Sequence, residues 1–229
     1  MLVINIIEVM NLDKLKTQFI REHLKIDESY KNIFSFIDFG NVNNWFKKDK
    51  QDWDNKLIAE NEKIDIDIDK LKDFTELFSS YTRCYYGKDP ENNGSVSFNY
   101  ALKRVFGKHN FISKDLQKIK HYQESKKGKN IKLFKTDKNG KNYIEIRKCN
   151  FDVEISVDVI KKINQYDTLC LFSGDADFVY LNNFLRKRGK KVILIKGGYI
   201  TSKLRDSADL VINAQKIKKY IAKIKQGPN

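Results

Sequence analysis

The sequence predicts an α/β fold: a mainly parallel sheet flanked by helices, with an inserted β-hairpin and helical extensions at both termini. Three observations predict it. Two uncharged apolar runs, residues 33–37 and 169–172, are too short for helices and read as strands buried on both faces. Residues 169–196 read as strand, turn, amphipathic helix and strand, the crossover unit from which parallel sheets are built. Finally, 229 residues that are 41% hydrophobic, with 15 Phe and 11 Tyr, are enough to fill the core of one such domain.

Taken in order, residues 1–30 form a helical extension. Its apolar face is Leu12, Leu15, Phe19, Ile20 and Leu24, and it packs on the core or on a second copy of the chain as a homodimer element. The main domain spans residues 31–214. Its first strand, 33–37, ends at Asp38-Phe39-Gly40-Asn41, and residues 43–46 open a helix. Charge then separates: residues 49–76 hold ten acids and five bases, whereas residues 100–150 hold fifteen bases and four acids. Within the acidic part, Asp67 or Asp69 caps a helix whose stripe is Leu71, Phe74, Leu77 and Phe78.

A strand over 82–86, a loop over 89–94 and a helix capped by Ser95 follow, the helix packing through Tyr100, Leu102, Val105 and Phe106. Two β-like runs, 131–136 and 143–147, are joined by Asp137-Lys138-Asn139-Gly140, a strong hairpin signal. Residues 153–163 read as a helix packed through Val153, Val157, Ile160 and Ile163, with Asp158 beside that stripe. After the strand at 169–172, Ser173-Gly174-Asp175 makes the turn, Gly174 supplying backbone freedom. Phe178, Leu181, Phe184 and Leu185 give the next helix its buried face, and 192–195 is the following strand. A last strand over 208–212 leads to residues 215–229, a basic amphipathic helix and tail.

A net charge of +14 points to a polyanionic partner, nucleic acid before anionic membrane. No secretory or membrane-inserting segment is visible: the apolar stretch 2–7 is interrupted by Asn5, closed by Glu8 and lacks a basic leader. Cys84, Cys149 and Cys170 are widely spaced and odd in number, which suits free thiols in the cytoplasm, and the three histidines make no zinc pattern. Asp38-Phe39-Gly40 spells a kinase metal motif, but the other kinase motifs are missing. Asp65, Asp67 and Asp69 imitate a calcium loop, yet Lys70 stands where that loop needs glycine. A nucleotide-binding Rossmann protein would need GxGxxG or a Walker loop, and neither is present.

The carboxylates carry the chemistry. Strand ends of different βα units lie side by side in a parallel sheet, so Asp38 and the Asp175/Asp177 turn can meet. Asp175 and Asp177 share a point only if the first lies on the turn and the second in the first helical turn. Converging carboxylates repel unless protons or a cation intervene, and oxygen-only donors suit Mg²⁺ or Mn²⁺.

These motifs resemble those of NYN-domain ribonucleases of the PIN-like nuclease superfamily, in particular the LabA-like branch. FIDFGNVN at 36–43 is similar to the opening Asp-x-x-Asn motif, and FDVEISVDVIKKI at 151–163 to the central segment. LFSGDADF at 171–178 is similar to the Ser-Gly-Asp-x-Asp-Phe motif, and Ser202-Lys203-Leu204 with Ala208-Asp209 to the closing pattern. The resemblance implies a PIN-like, Rossmann-like sheet and an Mg²⁺- or Mn²⁺-dependent endoribonuclease. It implies Asp38, Asp158, Asp175 and Asp177 as the catalytic and metal cluster, with Asp152 and Asp209 at the rim. Asn41, Ser173, Ser202 and Lys203 would contact substrate. The substrate is expected to be RNA, single-stranded or with exposed loops, and the basic segment 100–150, interleaved with Tyr122, Phe134 and Tyr143, would help to hold it. The alternative is a non-catalytic RNA-binding or regulatory module on the same fold.

Overall fold

The computed structural model describes residues 2–122 and 135–227. In chain order the elements begin with α1 (Leu2–Leu24), β1 (Ile33–Asp38), α2 (Phe39–Val42), β2 (Glu62–Ile66), α3 (Ile68–Glu76), β3 (Tyr81–Lys88) and α4 (Asn93–Phe106). The middle of the chain forms β4 (Phe111–Asp115), β5 (Gln117–Tyr122), β6 (Lys135–Thr136), β7 (Asn142–Lys148) and α5 (Asp152–Lys161). The rest is β8 (Thr168–Phe172), α6 (Val179–Lys187), β9 (Lys191–Lys196), α7 (Ser202–Asp206), β10 (Leu210–Asn213), α8 (Lys218–Ile221) and β11 (Ala222–Gln226).

The central sheet has the order β10-β9-β8-β1-β3-β4 and is parallel throughout. Its strands alternate between two cores. Cys170, Phe172, Ile193 and Ile195 face one layer with Ile37, Leu71, Phe74 and Leu102, while Leu169, Leu171, Val192 and Leu194 face the other with Ile155, Val159, Leu181 and Leu185. Burial on both faces explains why these strands carry almost no charge. The chain moves outward from β1 through β3 to β4, then returns to place β8 on the other side of β1. This reversal makes β1/β8 the topological switch point, beyond whose carboxyl ends such folds bind ligands.

Two small sheets are added. β5, β7 and β6 form an antiparallel three-stranded sheet around the expected Asn-Gly hairpin, with Gly140 at φ 76°. Residues 131–134 of the first hairpin run, Phe134 among them, lie outside the described residues. The second sheet pairs β2 with β11, which the sequence reading had not anticipated; Lys223 bridges to Asp67, so the acidic stretch is met by the basic end of the chain. The segment from Gln215 is accordingly helical only as far as Ile221 and then extended.

Other local expectations shift as well. The helix after β1 starts at Phe39, not Asn43, because Asp38 itself accepts the N–H of Asn41 as its cap. Asp67 is the cap of α3, as one of the two candidates. Asn92 rather than Ser95 caps α4, the Ser95 hydroxyl instead accepting the Asp89 N–H. Of the apolar face expected on α1, Ile20 and Leu24 are buried, while Leu12, Leu15 and Phe19 remain exposed. On α5 Ile155 and Val159 are buried, while Val153, Val157 and Ile160 face solvent. Among the described residues no helix is long and apolar enough to cross a membrane.

Candidate functional site

At the switch point a cleft of about 850 Å³ opens between the ends of β1 and β8, the start of α5 and the loop after β9; Asp38, Asp152, Asp175 and Asp177 all line it. Each acid arrives by a different local route. Asp38 is the last residue of β1 and the cap of α2. Asp175 follows β8 on the turn and accepts the N–H of Asp177 at 3.0 Å, capping the short 3₁₀ turn Ala176–Phe178 that leads into α6. Asp177 thus lies in the first helical turn, as its pairing with Asp175 requires. Asp152 opens α5 with its N–H held by the Asn150 side chain at 2.9 Å.

Asp152, Asp175 and Asp177 each offer a carboxylate oxygen, and these oxygens lie within 4.8 Å of one another. Crowding of this kind disfavours the third charge. The Asp152 carboxyl is pushed up to about 6, first by burial and further by Asp175 and Asp177, with Asn150 pulling the other way. Asp38 is also raised, chiefly by burial and secondarily by Asp175, while bonds from Ser173 and the Asn41 N–H hold it down. The group is therefore short of positive charge within a chain that is rich in it.

Asn41 and Ser173 tie the two strand ends together. The Ser173 hydroxyl donates to Asp38 Oδ2 at 3.2 Å and accepts the Asp175 N–H at 3.2 Å. Asn41 Oδ1 accepts the Gly174 N–H at 3.1 Å and the Trp45 indole N–H at 3.0 Å. Gly174 is not in the left-handed region, and a Cβ there would meet Ile200 at 3.4 Å and Asn41 at 3.7 Å, ordinary contact distances. The turn consequently depends on this hydrogen-bond lattice more than on glycine's freedom.

The structure does not bring Asp158 into the acidic group. Asp158 Oδ2 accepts Arg83 Nη1 at 2.6 Å and the Tyr85 hydroxyl at 2.8 Å, on the sheet side of α5. Asp158 lies six residues beyond Asp152, about 9 Å along the axis and roughly 240° around it, so the two cannot face one point. Asp209 is at the opposite end of the sheet, where it accepts from Arg186 and from the Val192 N–H. Ser202 and Lys203 are exposed on α7, which packs beside the 3₁₀ turn that carries Asp177, and neither lines the cleft.

Asp152, expected only at the rim, is a member of the acidic group, and Trp45 and Cys149, which no motif marks, also line the cleft. The available signal for Asp152 was its position one residue before an apolar run, where a helix N-terminus favours an acid.

With this geometry in view, comparison with known proteins gives three findings. The sequence profile of the NYN domain matches residues 36–215. The low amplitude and bright protein LabA of Synechococcus elongatus is 33% identical over 78 residues, which is 34% of this chain and 42% of that protein's length. A crystal structure of a protein of unknown function from Vibrio parahaemolyticus aligns with a TM-score of 0.47 and 19% identity over 82% of this chain and 94% of that one.

Proposed function

Since the chain belongs to the NYN-domain family, we propose that it is a metal-dependent ribonuclease that cuts RNA internally by phosphodiester hydrolysis, and that it falls in the LabA-like branch. The observation that carries this reading is the convergence of Asp152, Asp175 and Asp177 beside Asp38 at the switch point of the sheet.

The donor set fits a hard divalent ion. It is all oxygen and closely spaced, and it includes an acid whose charge is disfavoured until a cation offsets its neighbours. Bound there, Mg²⁺ or Mn²⁺ would supply Lewis-acid stabilisation of phosphoryl oxygens and lower the pKa of water. In this reading Asp152, Asp175 and Asp177 hold the ion, and Asp38, anchored by Ser173, completes the negative field behind them. Asn41 and Ser173 keep the two strand ends in register. Asp158 acts on the site indirectly, by fixing α5 against β3 through Arg83 and Tyr85.

RNA would be held by phosphate contacts from bases around the cleft. Lys48 and Lys148 line it, Lys203 lies on neighbouring α7, and β5, which pairs with β7 as far as Lys148, carries further lysines. The three free thiols suit a cytoplasmic setting.

The test is cleavage of end-labelled RNA in Mn²⁺ or Mg²⁺, comparing the wild type with Asp175→Asn. Internal cuts by the wild type and at least a hundredfold less product from the variant are expected; equal product would remove the site. The alternative, a non-catalytic RNA-binding module, predicts binding that persists in EDTA, weakens steeply with salt and is never followed by cleavage.

A further inference from the structure

Trp45 stands where the ends of three central strands come together. It follows Asn41 by four residues, and two turn bonds carry the coil of α2 that far: Asn44 N–H to the Asn41 carbonyl and Trp45 N–H to the Val42 carbonyl, both at 3.1 Å. Residues four apart on such a coil share a face, and the indole N–H reaches Asn41 Oδ1 at 3.0 Å. One side of the indole lies nearly parallel to Phe172, the last residue of β8, with ring centroids 6.3 Å apart and planes 12° apart. Phe46 meets it edge-on at 6.4 Å. Gly197, the residue after β9, packs against it so closely that a Cβ there would lie 2.6 Å from Trp45 Cγ and nearer still to Cδ1, the carbon beside the indole nitrogen. The ring is wedged in place, and its N–H is fixed on Asn41.

That bond decides how the Asn41 amide is turned. A side-chain amide oxygen has two lone pairs, and Asn41 Oδ1 uses both: one accepts the indole N–H, the other the Gly174 N–H at 3.1 Å. With the amide rotated end for end, its NH₂ would face two N–H donors and accept neither. The indole therefore keeps an acceptor in place for Gly174, the residue that joins β8 and Ser173 to Asp175. Ser173 holds the same turn by accepting the Asp175 N–H at 3.2 Å. Among the described residues Trp45 makes no hydrogen bond to any of the acids, so its hold on them runs through Asn41.

We propose that Trp45 is a positioning residue of the acidic centre: its indole N–H orients the Asn41 amide, and Asn41 sets the Gly174–Asp175 turn where Asp175 meets Asp152 and Asp177. Its consequence for metal binding rests on the nuclease reading of the centre, whereas its consequence for the turn does not. Two substitutions break the link in different ways. Trp45→Phe keeps an aromatic ring against Phe172 and removes the donor. Gly197→Ala leaves Trp45 and Asn41 chemically intact and pushes the indole off its seat. Asn41→Ala removes the relay itself.

The full chain, these three variants and each of the first two combined with Asn41→Ala are compared in two measurements. Amide hydrogen exchange at Gly174 is followed by NMR in EDTA. The dissociation constant for Mn²⁺ alone is measured by electron paramagnetic resonance of the free ion. A neutral hydrogen bond is worth about a fivefold change in an equilibrium, so Trp45→Phe and Gly197→Ala should each speed Gly174 exchange and weaken Mn²⁺ by about that factor. In the Asn41→Ala background neither substitution should change either quantity further, because the relay is already gone. Gly197→Ala carries the comparison if Trp45→Phe disturbs folding. A Trp45 that served packing alone would lower the melting temperature in both backgrounds and leave Gly174 exchange and Mn²⁺ affinity at wild-type values. That result, or equal losses with and without Asn41, would overturn the proposal. A wild type that binds no Mn²⁺, with Gly174 exchange responding as stated, would remove the metal reading and leave the positioning role standing.

Discussion

Asp152→Asn should make the metal-free protein more stable and the metal-loaded protein less so. In the absence of a cation, Asp152 is ionised against Asp175 and Asp177, whose oxygens lie within 4.8 Å. Its carboxyl is raised from 3.8 to about 6, so between those values the folded chain holds a proton that the unfolded chain has released. Stability contributed by that proton is present below about pH 4 and is lost as pH rises through about 6. For a fully shielded group the gap would amount to about 3 kcal/mol. Asp152 is partly exposed, and screening reduces this to roughly 1 kcal/mol.

Asparagine carries no charge and does not titrate in this range. For a chain of this size its melting temperature in EDTA should therefore exceed that of the wild type by about 2–4 °C at pH 8, with the difference closing toward pH 4. Saturating Mn²⁺ should reverse the order. At a hundred times the dissociation constant a ligand adds about 2.7 kcal/mol, or about 5–10 °C, to the wild type. The variant, one carboxylate short, should gain less than half of that. Scanning calorimetry at pH 5 and pH 8, in EDTA and in Mn²⁺, measures all four states. A variant that melts at or below the wild type in EDTA at pH 8, or that gains as much from Mn²⁺, would refute the assignment of Asp152 to the centre.

Two further substitutions separate support from chemistry. Asp158→Asn breaks a pair whose side chains are only 17% and 20% exposed, and should cost about 1–3 kcal/mol in thermal unfolding while leaving the Mn²⁺-induced gain in melting temperature intact. Loss of the Mn²⁺ gain would return Asp158 to the metal set. Lys218, buried at the start of α8, bridges to Asp49 at 2.8 Å and donates to the Gln51 carbonyl. Lys218→Ala should cost about 3 kcal/mol and speed hydrogen exchange across residues 47–58, whereas unchanged exchange there would show that the pair does not anchor this segment.

The parts of the fold legible in the sequence are those whose signal is local. β1, β8 and β9 announce themselves as uncharged runs because both of their faces are covered, and the Asn-Gly turn names its own hairpin. β2 and β11 announce nothing, since each pairs with the other about 160 residues away. Glu62–Ile66 is only five residues long and lies just before the capped helix at Asp67, and Ala222–Gln226 follows an apolar spacing (Ile217, Tyr220, Ile221, Ile224) that reads as a continuing helix, so neither stands out as a strand until the other is present. Their opposite charges, which look like separate acidic and basic regions along the chain, are complementary across this pair.

The candidate site turns on a similar ambiguity in α5. Its sequence offers two apolar stripes, Val153-Val157-Ile160 and Ile155-Val159, and periodicity alone cannot choose between them. Packing against β8 and α6 selects the second. That choice has two consequences at once. Asp152, three residues before Ile155 and so on the same side of the helix, is brought into the cleft with Asp175 and Asp177. Asp158, three residues after Ile155 and so on the opposite flank of that stripe from Asp152, faces β3, where Arg83 and Tyr85 satisfy its carboxylate. Reading the first stripe as buried leaves Asp158 free to be a ligand and Asp152 at the margin. Which face of this helix is buried and which of its two aspartates joins the acidic centre are therefore a single question, and the side-chain contacts of Ile155 and Val159 answer it.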